Sequence, residues 1–331
     1  MNVLVTGSTG FVGTYLIPAL IKKGYCVTCL VRDEIKGEQI KKKHNVKIIQ
    51  GDVTKPKTLE GISEGIDYVI HLAAMGHVSA VTEEAYRMFV DVNEGGTKNL
   101  INEFHHSKQL KKFIHFSSTA AMGPAMFPIL DENTDPNPKT PYQKSKYRSE
   151  LIISDAFKAF SFPGLILRPC MIYGPGGYGE FHKFCRLMKK GVFPKVGLKK
   201  NLTPLVYVED VVSAAILALE HGSIGEVYLV ASETSISMDK LHQLIMKNIG
   251  VNAPYIFVPS CVALIGAKIC EVLFPILGKE PIVTSMNIRS TIVDRTFCIK
   301  KAKKELGYVP KYSFEKGISQ TIKWYKTQGR I

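Results

Sequence analysis

An apolar strand that runs straight into a glycine-spaced turn restricts the fold of this chain more than any other feature. Val3-Leu4-Val5 leads into Thr6-Gly7-Ser8-Thr9-Gly10-Phe11-Val12-Gly13, and a helical pattern continues from Phe11 to Lys23. Gly7 allows a tight turn. Gly10 removes a side chain where backbone must approach a pyrophosphate, and Gly13 lets helix and strand pack closely. The N-terminus of such a helix presents unpaired N–H groups to an anion. With a strand before it and a helix after it, the spacing reads as a dinucleotide site rather than an incidental turn.

Further apolar runs at Val27 to Val31, Val46 to Ile49, Tyr68 to Leu72, Phe113 to Phe116 and Leu165 to Leu167 read as buried strands. Helical patterns at Glu83 to His106 and Tyr142 to Phe160 lie between some of them. This alternation predicts an α/β fold of Rossmann type, a doubly wound parallel sheet covered on both faces. Gly174-Pro175-Gly176-Gly177 breaks the pattern. Residues 1–173 are therefore read as the dinucleotide-binding domain and 174–331 as mainly a smaller, interleaved substrate-binding lobe. The helix Val208 to Leu219 is expected to return to the first domain. Phe257 to Leu277 is the most apolar stretch, but Pro259, Lys268, Glu271 and Pro275 argue against a bilayer span. It reads as an apolar helix pair on the core or at a substrate pocket, with a membrane-surface contact as the competing reading.

Cofactor preference rests on the end of the second strand. Arg32 is the first polar residue after that apolar run, suited to the 2′-phosphate of NADP. A strand one residue longer would give the ribose to Asp33 and favour NAD. Asp52 and Val53 after the third strand border the adenine in this reading, with a helix cap as the plainer role for Asp52. At the sheet's carboxyl edge, Ser117-Ser118-Thr119 closes the fifth strand. Tyr142 and Lys146, four apart, share one helix face. A phenol ordinarily titrates near ~10. A cation held beside it, next to a positively charged nicotinamide, lowers that value and suits it to proton transfer with a substrate oxygen.

Gly51-Asp52-Val53, His71-Leu72-Ala73-Ala74, Asn93-x-x-Gly96-Thr97-x-Asn99-Leu100 and Arg168-Pro169 before Tyr173-Gly174-Pro175-Gly176 complete the set. With these motifs the chain resembles the extended short-chain dehydrogenase/reductase family along essentially its full length. The resemblance implies that Tyr142 is the general acid/base and that Lys146 binds the nicotinamide ribose and lowers the phenol's pKa. Thr119 then polarises the substrate, with Ser118 the neighbouring alternative. It places the dinucleotide against Gly7, Thr9, Gly10, Phe11, Val12, Gly13, Arg32, Asp52, Val53, Leu72, Ala73, Ala74, Asn93, Ser117, Tyr142, Lys146 and Pro169. Thr203-Pro204 stands where nucleotide-sugar epimerases often carry Arg-Asp, and Val31 replaces their acidic residue. Those departures, the apolar 257–277 segment and the tail Lys301 to Tyr308 resemble 3-beta-hydroxysteroid dehydrogenases and dihydroflavonol reductases.

The leading expectation is thus an NADP(H)-dependent oxidoreductase acting on a ketone or secondary alcohol of an apolar small molecule, steroid-, terpenoid- or flavonoid-like. The alternative is a nucleotide-sugar epimerase or dehydratase with tightly held NAD(H), its diphosphate met by Lys183, Arg186, Lys189 and Lys190. A non-catalytic NADP-sensing protein is the third reading. The formal charge of +14 raises nucleic acid and anionic membrane as partners. The lysine clusters lack an aromatic-interleaved module, so nucleic acid is set aside and weak membrane-surface association is kept. Seven cysteines with a single C-x-x-C pair, Cys26 and Cys29, and no second pair to complete it argue against a metal site or disulfide framework and fit a cytoplasmic setting. A homodimer through the helices at Glu83 to His106 and Tyr142 to Phe160 is implied by the resemblance.

Overall fold

The computed structural model describes the chain apart from residues 77–81, 125–126, 192, 198–199, 252–254, 278–282, 286–287 and 289–292. The first half alternates as the apolar runs require. It comprises β1 (Asn2–Thr6), α1 (Phe11–Lys22), β2 (Cys26–Val31), α2 (Glu34–His44), β3 (Lys47–Gln50), β4 (Tyr68–His71), α3 (Glu83–Phe89), α4 (Gly96–Phe104), β5 (Lys112–Phe116), β6 (Ile129–Leu130), α5 (Pro141–Phe160) and β7 (Gly164–Pro169). A wide turn of π geometry, Val90–Gly95, joins α3 to α4. The second half carries β8 (Met171–Tyr173), α6 (Glu180–Lys189), β9 (Phe193–Val196), β10 (Leu202–Thr203), β11 (Leu205–Tyr207), α7 (Val208–His221), β12 (Val227–Val230), β13 (Ile236–Ser237), α8 (Met238–Ile249), β14 (Tyr255–Val258), α9 (Ser260–Ile276), β15 (Thr296–Phe297) and a C-terminal helix, Phe314–Thr327.

Seven strands form one sheet in the order β12-β7-β5-β4-β1-β2-β3, and every pairing in it is parallel. The chain runs outward from β1 through β2 to β3, then crosses back to β4 on the other side of β1. That reversal opens a crevice beyond the carboxyl ends of β1 and β4, where α/β sheets bind ligands. Val3, Leu4, Val5, Val69 and Ile70 are fully buried. Burial on both faces explains why these strands read as unbroken apolar runs rather than alternating ones. β12 and α7 come from beyond residue 173. β12 closes the sheet's edge beside β7, and α7 packs against α1.

A second core unites Tyr173, Phe181, Tyr207, Leu241, Ile245, Ile318 and Tyr325 under the smaller lobe. The apolar 257–277 stretch departs from its expectation. It forms β14 and the single helix α9, not a helix pair. Among the described residues, Ala263, Leu264 and Ala267 of α9 close over a small cluster with Val196, Val283 and Ile288.

Candidate active site

The nucleotide loop is built as its glycines dictate. Gly7 takes φ +65, and a Cβ there would stand 2.6 Å from the Ala73 nitrogen. Only glycine lets the end of β1 lie so close to the end of β4. A Cβ on Gly13 would meet the Ser8 carbonyl oxygen at 2.5 Å. The α1 N-terminus receives no side-chain cap and has no acidic residue in its first turn, so its N–H groups remain available to an anion. Thr6, Gly7, Thr9, Gly10, Leu30, Val31, Arg32, Gly51, Asp52, Val53, Leu72, Ala73, Ala74 and Val92 line a crevice of about 220 Å³. A larger, shallower hollow of about 420 Å³ lies between Tyr15, Tyr207 and Trp324. It contains no nucleotide-loop or catalytic residue, so the smaller crevice is the candidate site.

The structure separates the two residues at the end of β2. Arg32 lines the crevice, whereas Asp33 caps α2 by accepting the Lys36 N–H at 3.1 Å. Asp52 both lines the crevice and holds its own turn through the Thr54 N–H and hydroxyl, each at 2.9 Å. Phe11 offers backbone to the loop, while its ring packs on Gly174 and Gly177 of the second lobe. Val12 packs against the main core, and Pro169 ends β7 opposite Val230. Asn93 serves as a tether: its carboxamide oxygen accepts the Met75 N–H at 2.8 Å and its nitrogen donates to the Ser145 hydroxyl at 2.9 Å. It thereby binds the loop after β4 to α5, from within the π turn.

A capping box, Thr140 with Gln143, and Pro141 at the first position start α5. That start places Tyr142 and Lys146 one turn apart on α5. The Tyr142 ring lies 5.7 Å from Phe89, and its phenol is hydrogen-bonded to the Ser118 hydroxyl. Burial pushes the phenol above its ordinary value, and the Ser118 bond opposes that shift. The expected lowering by Lys146 is not what this geometry gives. The Lys146 ammonium donates to the Phe116 carbonyl at 2.7 Å. It is 2% exposed, and burial pulls it down to about 8, with Glu150 acting the other way. Ser118 caps the short turn Thr119–Met122 by accepting the Ala120 N–H at 3.1 Å, and its hydroxyl is also the one on the phenol, the alternative left open by the motif.

Beneath this pair lies a buried polar network. Glu150, one turn beyond Lys146, takes Arg168 in a two-pronged pair at 2.9 and 2.6 Å and also accepts the Ser117 hydroxyl. Ser117 thus points into the protein rather than into the crevice. Nearby, Thr97 donates to the Asn93 carbonyl at 2.7 Å and so accepts from His71 Nε2 at 3.2 Å. His71 Nδ1 therefore accepts from Thr6 at 2.7 Å. Burial first, and Lys146 second, depress His71 to about 3, and His115 shifts the same way.

Both imidazoles are neutral when folded, whereas unfolded histidine protonates near ~6.5. Their contribution is complete above that value and is lost as pH falls toward the folded one. Urea unfolding between pH 7 and 5 is expected to show stability falling with acidity, and His71→Asn to flatten that slope. An unchanged slope would contradict the assignment.

In the second lobe Lys183 pairs with Glu180 at 2.8 Å, and Arg186, Lys189 and Lys190 are exposed. Sequence reasoning passed over Arg295, a part-buried guanidinium whose charge burial disfavours. Its backbone is held to β10 through Leu202 at 3.0 Å.

The profile of the NAD dependent epimerase/dehydratase family matches residues 3–231. The chain belongs to that family. Over 98% of its length it is 30% identical to a dTDP-D-glucose 4,6-dehydratase of Homo sapiens, covering 90% of that protein. It is 27% identical to an N-acetyl-alpha-D-glucosaminyl-diphospho-ditrans,octacis-undecaprenol 4-epimerase of Escherichia coli O157:H7, covering 98% of this chain and 95% of that one. A solved UDP-glucuronic acid 4-epimerase from Bacillus cereus, in complex with UDP-glucuronic acid and NAD, superposes with a TM-score of 0.79 at 25% identity, covering 99% of this chain and 100% of that one.

These epimerase/dehydratase relatives correct the steroid- and flavonoid-reductase expectation, because their names specify sugars on diphosphates. The apolar 257–277 segment does not require an apolar substrate, since much of it faces outward. The NADP preference also finds no support in a structural relative that holds NAD. Among the described residues no helix is long and apolar enough to cross a membrane.

Proposed function

We propose that this chain interconverts a hydroxyl and a ketone on the sugar ring of a sugar diphosphate, and that its net reaction is epimerisation. The Ser118–Tyr142 hydroxyl pair, one turn from Lys146, carries this reading. A nicotinamide dinucleotide, when bound, supplies hydride acceptance and donation. The Gly7 turn and the uncapped α1 N-terminus fit its pyrophosphate. Ser118 orients the sugar hydroxyl. Tyr142 takes the proton as alcohol becomes ketone and returns it when hydride comes back to the other ring face. Lys146, whose ammonium is tied to the Phe116 carbonyl, is the residue proposed to hold the nicotinamide ribose. Arg295 and the cations of α6 are the groups proposed to meet the diphosphate.

Dehydration needs more: a base for the ring C–H proton and an acid for the departing hydroxyl. The turn from Ser118 to Gly123 supplies hydroxyls and apolar side chains but no carboxylate. This favours epimerisation over the 4,6-dehydration of the human relative. Incubation with UDP-glucose, UDP-N-acetylglucosamine and dTDP-glucose, followed by NMR of the ring protons, tests it. A C4 epimer without net cofactor consumption is expected. A 4-keto-6-deoxy product, or turnover of apolar ketones alone, would overturn the reading.

Cofactor choice is tested separately. Arg32 in the crevice supports affinity for a 2′-phosphate, and NAD in the relative supports NAD. Fluorescence titration with NADH and NADPH is expected to show binding of both. Arg32→Ala is expected to weaken NADPH by about tenfold, one charge-assisted contact, and to spare NADH. Equal losses for both would show that Arg32 does not read the phosphate. A homodimer through α4 and α5 is also proposed, with exposed Leu151 on α5 as a contact.

A further inference from the structure

We propose that the outward face of α9 docks the substrate lobe onto an anionic lipid bilayer surface. Val262, Ile265, Ile269, Val272, Leu273 and Ile276 are each more than half exposed. Their spacing of three and four residues places them on one stripe roughly 100° wide. Such a stripe normally faces a core. Here the opposite side of α9, with Ala263, Leu264 and Ala267, already closes over Val196, Val283 and Ile288. The helix is therefore anchored, and its outer stripe is surplus to folding. Ile256 and Phe257 on β14, both nearly half exposed, continue the apolar surface at the start of α9. A contiguous exposed patch of this kind marks an interaction surface.

Charge selects the occupant. Lys268, on the flank of the stripe, is exposed. The helix's one acidic residue, Glu271, is turned inward, accepting the Ser285 N–H at 2.7 Å and its hydroxyl at 3.0 Å. The docking face thus presents a cation and no outward carboxylate from α9, on a chain of formal charge +14. A second copy would bring the same positive charge and repel, whereas an anionic headgroup layer attracts it. No helix among the described residues can cross a bilayer, so α9 lies in the interface plane. Docking sets the substrate lobe where a sugar diphosphate carried on a lipid would be presented. That consequence rests on the proposed function; the docking does not.

The full chain is mixed with vesicles of phosphatidylcholine alone, or of phosphatidylcholine with phosphatidylglycerol, and sedimented. Pelleting with the anionic vesicles, reduced by added salt, is the expected result. The double substitution Ile265→Ser, Ile269→Ser is expected to lower partitioning at least about tenfold by removing two buried apolar side chains. Lys268→Glu, which alters no apolar contact, is expected to weaken it as well. Circular dichroism and dinucleotide binding should match the unsubstituted protein in both variants. Failure of the unsubstituted chain to pellet, or equal pelleting of the double variant, would overturn the proposal. So would a dimer in solution that the double substitution converts to monomer, because the face would then belong to a second copy. Vesicle binding without any sugar-diphosphate turnover would uphold docking and count against the proposed function.

Discussion

Tyr142→Phe is expected to lower turnover by roughly 10²–10⁴-fold, the usual worth of a positioned acid/base group, and to leave dinucleotide binding intact. The ring contact with Phe89 survives this substitution, and the change removes only the oxygen bonded to Ser118. The loss should therefore fall on kcat rather than on KM. Because burial raises the phenol, removing its partner has a readable consequence. Ser118→Ala should move the ascending limb of the kcat/KM profile, which follows ionisation of the phenol, to higher pH, since the Ser118 bond opposes the rise. Thr119→Ala, at the residue that opens the next turn, should leave that limb in place. Full activity in Tyr142→Phe would remove the chain from tyrosine-based proton transfer altogether.

Glu150→Ala is expected to cost about 3–5 kcal/mol of stability, the range for stripping one partner from a buried ion pair. Glu150 and Arg168 are 3% and 4% exposed, so the guanidinium left behind finds neither water nor carboxylate. Ser117 loses its acceptor at the same time. The second effect reaches the site. Glu150 holds the Lys146 pKa up against burial, so its removal should lower that value further and leave less ammonium at neutral pH. Replacing both partners with apolar residues, Glu150→Leu with Arg168→Met, should recover much of the stability but not the Lys146 charge. Urea denaturation separates the outcomes: a cost under about 1 kcal/mol for Glu150→Ala would mean that the pair contributes no more than a surface one.

Lys146 adds a linkage of definite sign. It titrates at about 8 when folded and near ~10.4 when unfolded. Below pH 8 both states are charged, and the folded state bears the full burial penalty. Between these values the unfolded chain holds more protons, so this residue's contribution rises with pH.

Much of the architecture was legible because its causes are local. The glycine loop demands the close approach seen between Gly7 and Ala73. The apolar runs at Val3, Val27, Val46, Tyr68, Phe113 and Leu165 all became strands of one parallel sheet; burial on both faces leaves an unbroken apolar signature in the inner strands, whereas β3 at the edge is only partly buried. The Tyr142–Lys146 spacing is a property of helix geometry and survives any tertiary context. What sequence left open were choices between neighbours. Arg32 against Asp33, and Ser118 against Thr119, depend on where a strand ends and a turn begins. At the end of β2 a one-residue shift turns a side chain from the crevice, as Arg32, into a cap, as Asp33.

Tertiary structure alone decided the rest. Ser117 and Asn93 stand in nucleotide motifs, yet their side chains serve Glu150, Ser145 and the loop at Met75, because partners distant in sequence arrive there only on folding. Hydropathy could announce that 257–277 is apolar but not which side of α9 finds a core. The sequence by itself determined a dinucleotide fold with a tyrosine–lysine helix, since spacing and periodicity are written along the chain. The packing of distant elements determined which hydroxyl meets the phenol, which carboxylate governs the lysine and which apolar face is left to meet something else.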